Sequence, residues 1–137
     1  MCIHLKKVNL EDSEKVHEMQ KQGFKALLEK YKDYDTNPGA KTLEKVKWRF
    51  TLDNIDQYFI FLCNIAIGYF RVHRIDEVTC RLSQMFILPE YQVNGYAQTA
   101  ITQAELLYPA VEKWNLDKLL LVQAPNIIFK NNFLMTA

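Results

Sequence analysis

Apolar and polar residues alternate through "CIHLKKV" (residues 2–8), the two-residue period of a half-buried strand. From Asn9 the period lengthens. Val16, Met19, Gly23, Ala26, Leu27 and Tyr31 recur at helical spacing; Asn9 reads as the N-cap, and acidic residues crowd the first turn, where the helix dipole favours them. "KDYDTNPGAK" (32–41) is a loop, with Asn37-Pro38-Gly39 as its turn signal. A short second helix over 42–51 would bury Leu43, Val46 and Phe50. "QYFIFL" (57–62), "IAIGYFRVHR" (65–74) and "EVTCRLSQMFILP" (77–89) read as three strands, joined near Cys63-Asn64 and Ile75-Asp76 into an antiparallel meander. Ala97, Ala100, Ile101, Ala104, Leu107, Tyr108 and Val111 mark the stripe of a long helix that Pro109 ends or kinks. "DKLLLVQ" (117–123) is apolar without alternation, as expected of a strand buried on both faces.

The order β-α-α-β-β-β-α-β predicts an α+β or mixed α/β fold. Its central sheet is mixed and mostly antiparallel, with flanking helices. The strand–helix–strand unit at its end implies a crossover to a parallel partner. No linker divides the chain, so residues 1–137 are expected to form one domain.

Charge narrows the partners. Seventeen basic and sixteen acidic residues leave a net charge of +1, which argues against nucleic acid, because phosphate neutralisation needs a basic face. The cluster Lys41, Lys45, Lys47 and Arg49, interrupted by Glu44, reads as a solvated helix face. Cys2, Cys63 and Cys80 show no C-x-x-C spacing and read as reduced thiols in apolar positions; His4, His17 and His73 are scattered. No metal site is expected. Nor is a membrane span, since no apolar run is long enough. The expected location is cytoplasmic.

The residues with most chemistry in them are "ILPEYQVNGYAQTAI" (87–101), where a strand stops at Pro89 and a helix opens at a single glycine. A helix N-terminus carries unpaired N–H groups and a partial positive charge, so behind a strand end it forms a natural anion site. Gly95 would let the backbone approach the ligand, the amides of Val93, Asn94, Gly95, Tyr96 and Ala97 would point at it, and Gln92 would orient the loop or donate its own amide. No Walker-type lysine is present, which excludes a nucleoside triphosphate loop of that kind.

"QVNGYA" resembles the acyl-coenzyme A loop, (Q/R)-x-x-G-x-(G/A), of the GCN5-related N-acetyltransferase (GNAT) family, with Gln92, Gly95 and Ala97 at the matching positions. The order of elements over residues 2–123 is also similar to that family's. The resemblance implies an N-acetyltransferase with acetyl-CoA as cosubstrate and a small-molecule or peptide amine as acceptor. Strands 84–88 and 117–123 would splay around the pantetheine arm, which the backbone of Phe86, Ile87 and Leu88 would hold. Asn126 would steady the arm, the pyrophosphate would rest on residues 92–97, and the acceptor would enter beside Tyr31 and Tyr34.

The tail "QAPNIIFKNNFLMTA" departs from the family pattern. Phe129 stands near the position of the usual tyrosine acid, no Gly-Phe closes the motif, and the last strands are expected to be missing. No catalytic acid or base is therefore assigned from sequence. A non-catalytic relative that binds coenzyme A or a protein partner is the alternative. The stretch from Leu119 to Phe129 is uncharged and, as an edge, needs cover or a partner; residues 124–137 are expected to form either a stunted last helix on the sheet or a tail shared with a second subunit in a homodimer.

Overall fold

The computed structural model describes residues 2–31, 42–92, 94–116 and 133–135. Strand β1 (Ile3–Lys7) leads through a 3-10 turn (Leu10–Asp12) into helix α1 (Ser13–Tyr31). The turn starts at Asn9, whose N–H donates to the Asp12 carboxylate (3.0 Å). Helix α2 (Leu43–Trp48) is capped by Thr42, which accepts from the Lys45 N–H, and tightens into a second 3-10 turn at Arg49–Thr51. The meander follows as β2 (Ile55–Leu62), β3 (Ile65–Arg74) and β4 (Thr79–Ile87), then α3 (Tyr96–Leu107), β5 (Lys113–Leu116) and β6 (Phe133–Met135). Pro109, which lacks an N–H, stands two residues past α3 and prevents its continuation.

The six strands lie side by side in sequence order. Pairings β1–β2, β2–β3 and β3–β4 are antiparallel, whereas β4–β5 and β5–β6 are parallel. The mixed, mostly antiparallel sheet is thus the one expected from sequence, and α3 makes the expected parallel crossover. Two differences stand out. β5 begins at Lys113, before the expected strand at 117–123, which lies outside the described residues; Trp114, only 1% exposed, anchors it between polar neighbours that hid the strand. The tail, expected to lack further strands, contributes the three-residue β6.

Strand alternation divides the core in two. On one face Phe59, Tyr69, Phe86 and Leu88 pack against Val16 and Met19 of α1 and Val46 of α2. On the other, Ile60, Phe70, Val72, Leu82, Met85 and Ile87 meet Ala100, Ile101 and Ala104 of α3. The expectation of three reduced thiols fails for two of them: Cys2 and Cys63 form a disulfide, with Cα atoms 4.8 Å apart. The register explains it. Ile3 pairs with Leu62, so the next residues outward face each other, and the Cys63 N–H donates to the Cys2 carbonyl (2.7 Å). Cys80 remains a free, buried thiol, pushed up to about 11 by burial and then by Asp56.

Candidate active site

The site forms where β4 loses its regularity. Tyr69 pairs with Phe86 and Arg71 with Ser83, so Gln84 and Met85 on β4 stand opposite Phe70 alone, a β-bulge. Gln84 takes φ 51°, a left-handed conformation that costs a non-glycine residue about 1–2 kcal/mol. The parallel pairing of β4 with β5 covers only Thr79–Leu82. Among the described residues, β4 from Ser83 onward is therefore paired on one side only. The Leu88 N–H donates to the Ile67 carbonyl (2.7 Å), so by alternation the backbone groups of Ile87 point away from β3.

The turn into α3 is held by its own amides. Gln92 donates its side-chain amide to the Ile87 carbonyl (2.8 Å), and Asn94 donates to the carbonyls of Tyr91 (3.2 Å) and Gln92 (3.0 Å). Gly95 is the N-cap of α3 at φ 77°, and a Cβ built there would meet nothing within 4 Å. Gly95 has no side chain with which to cap this helix, and the first turn carries no acid. Tyr96 and Ala97 lean on the α3-side core. Strand end, glycine and helix start thus come together as the sequence suggested, and the open space at Gly95 suits an anion.

On the α1/α2 face of the bulge lies a polar cluster that the sequence reading missed. Gln57, Arg71 and Ser83 stand abreast on β2, β3 and β4. The buried Tyr69 phenol donates to Gln57 and also hydrogen-bonds with Arg71; burial first, against the pull of both nearby arginines, raises it to about 12. Gln20 of α1 donates to Gln84 (2.9 Å). Arg49, expected on a solvated helix face, is only 8% exposed, because the 3-10 turn after α2 swings it inward; Lys45 and Lys47 do remain in solvent. Burial and then the charge of Arg71 lower Arg49 to about 10. The available signal was polar residues interrupting apolar strands, as in "YFRV" and "RLSQMF".

Other expected residues are placed less fully. The side chains of Phe86 and Leu88 are core, as any strand reading requires. Val93, Tyr34 and Asn126 lie outside the described residues, and Tyr31 is seen only as the last residue of α1. A cavity of about 540 Å³ lies at the opposite end of β4, lined by Asp53, Arg74, Asp76, Cys80, Tyr108 and Val111. It is remote from the bulge and the Gly95 turn. Beside it, Tyr108 donates to Asp56 (2.6 Å), which also pairs with Arg74 (3.1 Å), fastening the end of α3 to the sheet. Among the described residues no group of three His, Cys, Asp or Glu side chains could hold a metal ion, and no helix is long and apolar enough to cross a membrane.

A bulged strand, paired on one side among the described residues, that runs into a helix opening at a glycine within a mixed sheet defines an α+β acyl-CoA N-acyltransferase-type fold. The chain belongs to the acetyltransferase (GNAT) family, whose pattern it matches over residues 17–128. Solved structures agree at the level of fold. The PaiA N-acetyltransferase of Thermoplasma acidophilum, in complex with coenzyme A, is 19% identical, with 80% of this chain and 73% of that one covered and a TM-score of 0.57. An aminoglycoside acetyltransferase from an uncultured soil metagenomic sample, in complex with sisomicin, is 16% identical over 86% and 80%, with a TM-score of 0.62. A GNAT family acetyltransferase of Staphylococcus aureus is 16% identical over 100% of this chain and 99% of that one, with a TM-score of 0.60. No curated protein matches the chain in sequence.

Proposed function

We propose that this protein, acting as one domain, transfers an acetyl group from acetyl-CoA directly to the amine of a small molecule or peptide. The observation that carries the reading is the open start of α3 at Gly95, directly behind a strand that is paired on one side only among the described residues. In this reading the pyrophosphate rests on the amides of 92–97, with Gln92 and Asn94 keeping the turn in shape. Of the backbone groups on Phe86–Leu88, the Leu88 N–H is taken by Ile67 and the Ile87 carbonyl by Gln92. The Ile87 N–H is therefore the group assigned to the pantetheine arm, with Asn126 beyond it and Tyr31 and Tyr34 on the acceptor side.

Acetyl-CoA supplies the activated acyl group. The amine lone pair attacks the thioester carbonyl, the C–N bond forms, the C–S bond breaks, and the amine proton is lost as coenzyme A leaves as the thiol. The chain's part is to bind, orient and exclude water. Ser83, Gln84, Met85 and Phe86 carry no readily ionised group, so no side chain of the bulge is assigned to proton transfer. That same feature favours a second reading, a relative that binds coenzyme A without transferring acetyl. The cytoplasm, where acetyl-CoA is available, is the proposed location.

Titrating the protein with acetyl-CoA while following its melting temperature tests both readings. Stabilisation is expected, and Gly95→Val should weaken it by about tenfold, because a β-branched residue resists positive φ. No stabilisation at millimolar acetyl-CoA would overturn both readings. Thiol release across an amine panel then separates them: release above background supports transfer, and stabilisation without release supports binding alone.

A further inference from the structure

Among the described residues, buried charge is segregated across this sheet. The buried acids among the described residues, Asp56 and Glu105, belong to the α3 face: Asp56 pairs across with Val72 and is held by Tyr108, and Glu105 is part of α3 itself. The buried cations, Arg49 and Arg71, are 8% and 5% exposed and lie near each other on the α1/α2 face, both beside Tyr69. Asp56 takes ion pairs from Lys7 and Arg74, and Arg49 has no carboxylate among the described residues. A guanidinium taken out of water beside another one is costly unless an anion joins it. The neighbourhood holds further unmet polarity: Gln20 Oε1 and Ser83 Oγ are buried without a hydrogen-bond partner. Ser83 stands directly across from Arg71, and Gln20 reaches the bulge through Gln84.

We infer that the acceptor carries an oxyanion, a carboxylate or a phosphate, as well as its amine, and that Arg49 and Arg71 bind the oxyanion while the amine lies toward the Gln84 bulge. This rests on the transferase reading above. Planar guanidinium forks match carboxylate and phosphate oxygens, and the Ser83 hydroxyl adds a donor on the same side. Gln20 Oε1 is an acceptor suited to an amine N–H. An acceptor that was cationic throughout, such as a simple polyamine, would meet the like charge of Arg49 here and be rejected.

Matched probes test the inference. The protein, saturated with coenzyme A, is titrated with free amino acids and with the amines left when their carboxylate is removed, lysine against cadaverine among them. Phosphoethanolamine against ethanolamine separates phosphate from carboxylate. The acids should stabilise the protein and the bare amines should not. Arg49→Met should weaken the acid effect by about tenfold or more, the scale of one lost charge-assisted hydrogen bond. The same variant, measured without ligand, should melt no lower than the parent, because it removes a buried charge that has no carboxylate among the described residues. Arg49→Lys, which keeps the charge and loses the fork, should also bind the acids more weakly, and it serves if Arg49→Met does not fold. Bare amines that stabilise as well as their acids, or an unchanged acid effect in Arg49→Lys, would overturn the inference. Stabilisation by acids with no response to acetyl-CoA would remove the acceptor role along with the transferase reading, leaving only an oxyanion site.

Discussion

Two tyrosines show how burial sets chemistry one side chain at a time. Tyr69 is raised to about 12 chiefly by burial, and Tyr108 is raised as well, by burial and then by donating to Asp56. Their unfolded values lie near 10, so each contributes stability that is complete below pH about 10 and is lost as pH rises through the folded value. At pH about 11, native protein should therefore show phenolate absorbance short of its seven tyrosines by at least two, with the deficit restored by denaturant. Full ionisation of all seven in the native state would contradict the placement of both. At this scale Gly95 was legible in the sequence, because a lone glycine between strand and helix has a specific conformational use. Arg49 and Arg71 were not, since a basic residue near a helix end or within a strand ordinarily points to solvent.

Between elements, β4 must lie close to both of its neighbours for the bulge to hold. A Cβ on Gly68 would run into the backbone carbonyl of Phe86, which has nowhere to go. A Cβ on Gly23 of α1 would strike the Phe86 ring, which can tilt. Overpacking costs about 1–3 kcal/mol, and in a helix about 1 kcal/mol of that returns as improved propensity. Gly68→Ala should accordingly be destabilised more than Gly23→Ala in urea unfolding; the reverse order would mean that α1 does not press on β4 here. The three-strand meander was legible because its apolar runs are long and its joints short. β5 was not, because Trp114 is flanked by Lys113 and Asn115, and one buried aromatic between polar residues carries little periodicity. The bulge left no trace either, since strand slippage by one residue depends on pairing and not on composition.

Across the molecule, the Cys2–Cys63 disulfide links residues separated by 61 positions. Closing so large a loop restricts the unfolded chain and is worth roughly 2–4 kcal/mol. Oxidised protein should therefore melt at a higher temperature than reduced protein, and Cys63→Ser should melt with the reduced form whether or not reductant is present. Denatured without reductant, the oxidised chain should show one reactive thiol, that of Cys80; three would mean that the bridge does not form. No spacing rule could have revealed this pair, because only the antiparallel register of β1 and β2 brings the two cysteines together.

The Gln103 side chain of α3 donates to the Ile3 carbonyl (2.8 Å). β1 is the outermost strand on that side, only five residues long, with Lys6 and Lys7 exposed along it. A bare strand margin invites neighbouring molecules to add themselves to it, and a helix side chain seated on one of its oxygens removes part of that invitation while the lysines repel the rest. Crowded copies of this protein should thus have little tendency to grow a shared sheet across the β1 margin.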